Sequence, residues 1–127
     1  FEAPVPKAQI PNLMSEADAI LLSLRDVPLF RYGVSPNKLY DAYALGRPVI
    51  TTVAGAINAE VEEHRLGVTA PPGDPQALAA AIKRLMDKPN SERQAMSERA
   101  IELAYATYAR QRIKAEYDSL LRGGIAA

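Results

Sequence analysis

Residues 19–24 read AILLSL, an apolar run interrupted by one serine and showing no alternation of apolar and polar residues. A strand with one face in water alternates. A short unbroken apolar run is the pattern of a strand covered on both faces, as in a parallel sheet. PVITT at 48–52 and a weaker GVTA at 67–70 repeat the pattern, and helix-like stretches lie between them. Parallel neighbours cannot be joined by a hairpin, so each pair needs a crossover, normally a right-handed helical one. The expectation is an α/β domain built on a parallel sheet. Three strands make a thin sheet, and Phe1 reads as the tail of a preceding strand, so a fragment of a larger domain is expected.

The segments between the strands carry their own punctuation. Pro4, Pro6 and Pro11 crowd the start, and the apolar residues after them predict a short helix at 8–16. Pro28 and Gly33 interrupt 25–34, which reads as a loop. A helix over 36–45 is closed by Gly46 at C′, with Pro48 beyond. VAGA is a turn, and a helix at 57–66 is stopped by Gly67. Asp74 followed by Pro75 is an N-cap and first-turn pair, opening a helix with apolar residues at 78, 81, 82, 85 and 86 that ends at Lys88-Pro89-Asn90. Ser91 with Gln94 forms a capping box for a last helix running to about 121, with Met96, Ala100, Leu103, Ala104 and Tyr108 as its inner stripe.

Composition removes several classes of function. At 127 residues the chain has the length of one domain and can bury roughly two thirds of its unfolded surface. Lys plus Arg and Asp plus Glu are both 15, so the basic excess of a nucleic-acid binder is missing and no nucleic-acid partner is expected. Without Cys there is no disulfide, thiolate nucleophile or Cys-based metal site, and His64 is the lone histidine. No metal and no cofactor are expected. The longest apolar run falls far short of the roughly 20 residues that span a bilayer, so no membrane span is expected.

The chemistry concentrates in GVSPNKLYD, residues 33–41. In open parallel sheets ligands sit beyond the carboxyl ends of the strands, and the loop after 19–24 leads to Ser35-Pro36-Asn37-Lys38. A helix amino terminus there offers free N–H groups and a partial positive charge to an anion such as phosphate. Pro36 has no N–H, which leaves the amides of Asn37 and Lys38, with the Lys38 ammonium as an added charge. Asp41, one turn later among the apolar residues Leu39, Ala42, Ala44 and Leu45, is expected to be partly buried and is placed to accept two hydrogen bonds from a diol such as a ribose. Each residue also has a plain structural reading. Ser35 serves as an ordinary N-cap, Lys38 and Asp41 as a solvated ion pair, and Tyr40 and Tyr43 as packing residues. Glu60, Glu62, Glu63 and His64 are explained by one amphipathic helix. The turn at 51–55, with Gly55, either borders a ligand through its backbone or is only a turn, and Arg25 lies near the expected cleft or is a surface charge.

SPNKLYDAYALGRPVI followed by GAINAEVEEHRLGVTAPPGDPQALAAAI resembles the carboxyl-terminal domain of retaining GT-B glycosyltransferases of the family 4 type, especially bacterial sugar transferases. The likeness covers nearly the whole chain and is weakest in the last helix. It implies a Rossmann-like parallel sheet, here a partial C-terminal domain of a GT-B fold over 1–127, with the N-terminal acceptor domain of the same protein absent. It further implies transfer of a sugar, with retention and without metal, from a nucleoside diphosphate sugar, a uridine diphosphate sugar by preference, in cell-surface polysaccharide or glycolipid synthesis. Two glutamates of the family are separated by the same interval as Gly33 and Asp41. The second binds the nucleotide ribose, a role implied for Asp41; Gly33 stands where the first approaches the donor sugar and offers no side-chain oxygen. Ser35, Asn37 and Lys38 match the diphosphate cradle, and Arg25, Gly33 and Gly55 would border the cleft. The implied location is cytoplasmic, at the inner membrane if the acceptor is lipid-linked. A nucleotide-sugar epimerase and a non-catalytic nucleotide-sugar binding module are the alternatives.

Overall fold

In the computed structural model, which describes residues 3–125, three strands run parallel in the order β1 (Ile20–Leu22), β2 (Val49–Thr51), β3 (Gly67–Thr69). The register pairs Ile20 with Val49 and Val49 with Gly67, so the three carboxyl ends finish level at one edge. This is a mixed α/β fold with a Rossmann-like partial sheet, as the non-alternating runs predict. Phe1, read as the tail of a further strand, lies outside the described residues.

Burial follows strand position. All of β2 is buried, because it lies between two strands and between two helical layers. Val49 faces one layer and Ile50 the other, as the period of a strand requires. On the Val49 side lie α3 (Asn37–Ala44), α4 (Ala56–Glu63) and part of α6 (Asn90–Leu103), which contribute Leu39, Ala42, Tyr43, Ile57, Val61 and Ala100. On the Ile50 side α5 (Pro75–Met86) contributes Ala81 and Leu85, and α6 adds Met96. Leu21 of β1 departs from the expectation that both faces are covered, since its side chain is 43% exposed. Among the described residues β1 has one neighbour. Ile20 N–H and Leu22 C=O bond across to β2, which turns the Leu21 N–H and C=O toward the unpaired edge.

The helix caps agree with the sequence where a side chain or a glycine dictates them. Asp74 Oδ1 accepts the Ala77 N–H at 2.8 Å and starts α5. Gly46, at φ 62°, ends α3, with the Arg47 N–H bonded back to Ala42 C=O at 2.8 Å. Met86, expected inside with the rest of its stripe, is 70% exposed at the last turn of α5. The helix expected to end at Gly67 stops earlier, because Arg65 takes a left-handed φ of 53° and Arg99 of α6 donates to the freed carbonyls of His64 and Arg65. Gly67 is then a strand residue. A Cβ on it would meet Val49 O at 1.8 Å, so glycine is needed for β3 to approach β2.

Three further expectations are corrected. The loop at 25–34 contains a five-residue helix, α2 (Pro28–Tyr32), started by Pro28 and held by a two-pronged Arg31–Asp26 ion pair at 2.8 and 3.0 Å; its one turn is too short to show a period. Before β1, a 3-10 turn at Lys7–Gln9 leads into α1 (Ile10–Glu16), close to the expected helix. The Ser91–Gln94 capping box is not formed: Pro89 precedes the first residue of α6, Asn90, and its carbonyl takes the Glu92 and Arg93 N–H groups, leaving Ser91 inside the helix. The long last helix is divided by a π-helical turn at Ala104–Tyr108 and extended Ala109, after which α7 (Arg110–Ile125) begins. Met96, Ala100 and Ala104 of the inner stripe are buried, with Leu103 and Tyr108 packed against the core, whereas α7 is exposed over its described side chains.

Gly67→Ala tests the β2–β3 approach. Forcing a methyl into a backbone oxygen is expected to cost about 1–3 kcal/mol or more, read as a lower urea midpoint with an unchanged m-value; an unchanged midpoint would contradict the close approach.

Candidate functional site

Because the strands are parallel, the helix that follows β1 and α2 starts at the carboxyl edge of the sheet. Asn37 and Lys38 are the first two residues of α3. No side chain caps this helix: Pro36 is the N-cap residue, and its carbonyl takes the Leu39 N–H at 3.0 Å. Ser35, expected as the cap, instead donates its hydroxyl to Tyr40 Oη at 3.1 Å, because the cap position falls on Pro36 one residue later. The helix end thus keeps the donor groups and partial charge that suit an anion.

Lys38 and Asp41 are both exposed and form no ion pair with each other, so the reading of a solvated pair is not met. The Lys38 ammonium lies 3.4 Å from Leu21 O at the open edge of β1. Asp41 was expected to be partly buried, since apolar residues flank it in sequence. It is exposed because Leu39, Ala42 and Tyr43 take the inner face of α3. It borders a hollow of about 200 Å³ together with Lys7, Pro11 and Met14. Lys38 and Asp41 therefore sit on the side of α3 turned toward β1 and α1, where their charges are open to solvent.

Arg25, Gly33 and Gly55 form a separate group around α2. Arg25 is exposed and borders a small gap of about 10 Å³ beside Thr52 and Ala54. Gly55, at φ 93°, is the residue before α4, and a Cβ there would stand 2.7 Å from Arg31 O, so no side chain fits between it and α2. Gly33 has extended backbone, and nothing lies within 4 Å of a Cβ placed on it, so a side chain fits there without strain.

Sequence reasoning missed a pair of hydroxyls at the same edge. Thr52, just past β2, and Ser23, just past β1, are hydrogen-bonded at 3.1 Å and border a hollow of about 230 Å³ with Gly73 and Asp74. The signal was a hydroxyl residue directly after each of two neighbouring strands. A larger hollow of about 610 Å³, with Asp18, Arg47 and Arg93 among its walls, opens at the opposite, amino edge. Among the described residues no group of His, Cys, Asp and Glu is arranged to hold a metal ion, and no helix is long and apolar enough to cross a membrane.

Residues 2–88, more than half of the chain, match the family described as glycosyl transferases group 1. The chain belongs to that family. An amylovoran biosynthesis glycosyltransferase, AmsK of Erwinia amylovora, is 38% identical over 81 residues, 63% of this chain and 20% of its own length. A glycosyltransferase assigned to colanic acid biosynthesis, WcaL of Salmonella typhimurium, is 30% identical over 118 residues, 92% of this chain and 29% of its own. The chain thus spans between a fifth and a third of the relatives it matches. No solved structure matches it. The family match takes in β1, β2, β3 and α3, including every residue of 33–41.

The two helix starts give opposite expectations for a cap deletion. Asp74→Ala should cost about 1 kcal/mol of stability and Ser35→Ala only a few tenths, because only Asp74 accepts a helix N–H; equal losses in chemical denaturation would contradict the cap assignment.

Proposed function

We propose that this chain is the donor-binding part, within a C-terminal domain, of a family 4 type retaining glycosyltransferase of GT-B architecture. It would act with an N-terminal acceptor domain of the same protein, in the cytoplasm or at the inner membrane. The whole protein would transfer a sugar from a nucleoside diphosphate sugar, preferably uridine-linked, to an acceptor in cell-surface polysaccharide or glycolipid synthesis. The observation that carries the reading is the uncapped amino terminus of α3 at the carboxyl edge of the sheet, with Asp41 exposed one turn along. Two amides, Asn37 and Lys38, would take diphosphate oxygens, and the Lys38 side chain would swing from Leu21 O to add its charge. Ser35 would border the phosphates through its backbone, its hydroxyl being engaged with Tyr40. The chemical contribution of such groups is to stabilise charge growing on the departing diphosphate. Asp41 would hold the ribose diol. The relatives' names, which place them in amylovoran and colanic acid biosynthesis, support a polysaccharide product.

A non-catalytic binding module is the second reading, and Gly33 favours it, because the position aligned with the sugar-contacting glutamate has no side chain although there is room for one. Gly33→Glu separates the two. In the transferase reading the added carboxylate reaches the donor sugar and raises affinity for a uridine diphosphate sugar over free uridine diphosphate by about 10-fold; an unchanged ratio favours the module.

Asp41→Ala tests the site itself by calorimetry. Hydrogen bonds to a charged group are worth about 1.5–3 kcal/mol, so affinity for uridine diphosphate should fall about 10-fold to 150-fold, and the preference over the 2′,3′-dideoxy analogue should disappear. A variant that binds and discriminates like the wild type would return Asp41 to the surface and remove the ribose contact.

A further inference from the structure

Glu60 is the residue whose surroundings differ most from its place in the sequence. Grouped with Glu62, Glu63 and His64 it reads as one charge of a solvated helix face, yet it is half-buried and bonded to two other elements. Tyr43 of α3 donates its hydroxyl to Glu60 Oε1 at 3.0 Å, and Tyr108 of the π-helical turn donates to Oε2. Tyr43 is completely buried. Burial first, and then the Glu60 carboxylate, push its hydroxyl well above the usual phenol range, so it remains a donor at any working pH. Tyr40 joins the group from the other side. Its ring centroid is 4.7 Å from that of Tyr108, and its hydroxyl accepts from Ser35, the residue that leads into α3.

Apolar burial holds α3 on the sheet through Leu39 and Ala42, but such contact is not directional and allows a helix to roll about its axis. Hydrogen bonds are directional. The Tyr43–Glu60 bond joins α3 to α4 in a defined direction, and the roll of α3 decides where Lys38 and Asp41 point. Glu60 is itself anchored on α4, whose Val61 is fully buried, and is steadied from a second direction by Tyr108.

We propose that Glu60 is a positioning residue for the nucleotide site: it sets the roll of α3 through Tyr43, and the approach of Ser35 through Tyr108 and Tyr40, without touching the nucleotide. The proposal rests on the reading of the α3 amino terminus as the diphosphate site. Glu60→Ala removes both bonds, whereas Glu60→Gln keeps an acceptor oxygen for one tyrosine and offers an amide N–H to the oxygen of the other. Tyr108→Phe, a milder change, keeps the ring and removes one bond.

Amide hydrogen exchange across α3, with α5 as internal reference, and calorimetric titration of the full 127-residue chain with uridine diphosphate test it together. Partial loss of the hydrogen bonds that the α3 amides and Asp41 would make to the nucleotide is expected to weaken binding about 10-fold in Glu60→Ala, with Tyr108→Phe between it and the wild type and Glu60→Gln within about twofold of the wild type. Exchange in α3 should quicken in the alanine variant while α5 is unchanged. Equal binding by wild type and Glu60→Ala overturns the role of Glu60 and leaves the diphosphate reading standing. So does equal loosening of α3 and α5, which would make Glu60 a general stabiliser. A wild type that binds no uridine diphosphate overturns the diphosphate reading, and the positioning role with it.

Discussion

The parallel pairing of β2 with both of its neighbours is the constraint on which the rest of the molecule depends. Parallel pairing sends the chain back through a crossover after each strand, so α3 and α4 both begin on the side where the strands end. It also brings to one edge the first amides of α3 and the Ser23–Thr52 hydroxyl pair, with the exposed carboxylate of Asp41 one turn in, the first and last of which are the groups proposed here to meet a diphosphate and its ribose. Gly67 is the residue that permits the pairing on one side, since any larger residue would strike Val49 O.

Two kinds of force then divide the work. Burial of Leu39, Val49, Val61, Leu66 and Ala100 supplies the bulk of the cohesion, and it is indifferent to small rotations of a helix. Orientation comes from a few polar contacts with definite geometry. Asp74 sets the start of α5, Arg99 closes α4 on its own carbonyls, and Glu60 ties α3 to the π-helical turn. The family's chemistry, as proposed for this chain, needs that second kind of force, because a cradle of amides works only at a fixed angle to the anion.

Legibility in the sequence tracks the range of the determining interaction. The strands were readable because a two-faced burial leaves an unbroken apolar run, and the α3 and α5 boundaries because Gly46 and Asp74 act within one turn. The fate of Ser35 was not readable, since it depends on Tyr40 competing for the hydroxyl and on the cap position falling on Pro36. The π-helical turn was missed for a similar reason: it brings Tyr108 to Glu60, 48 residues away in sequence, and nothing local announces it. Asp41 was expected to be part-buried from its neighbours in sequence, whereas the direction of the helix face, fixed by Leu39, Ala42 and Tyr43, leaves it in solvent. The residues of the proposed site were therefore identifiable from the motif, but their exposure and partners were not.

The central claim is spatial: a nucleoside diphosphate binds at the carboxyl edge of the sheet, over the start of α3. Titrating uniformly labelled protein with uridine diphosphate and following its backbone amide resonances locates the ligand without any substitution. The account predicts that the largest shifts fall on the amides of Asn37 and Lys38, with smaller ones extending to Asp41. Shifts that cluster instead around Arg47 and Arg93 at the amino edge, or that leave Asn37 and Lys38 unmoved while the ligand binds, would contradict it.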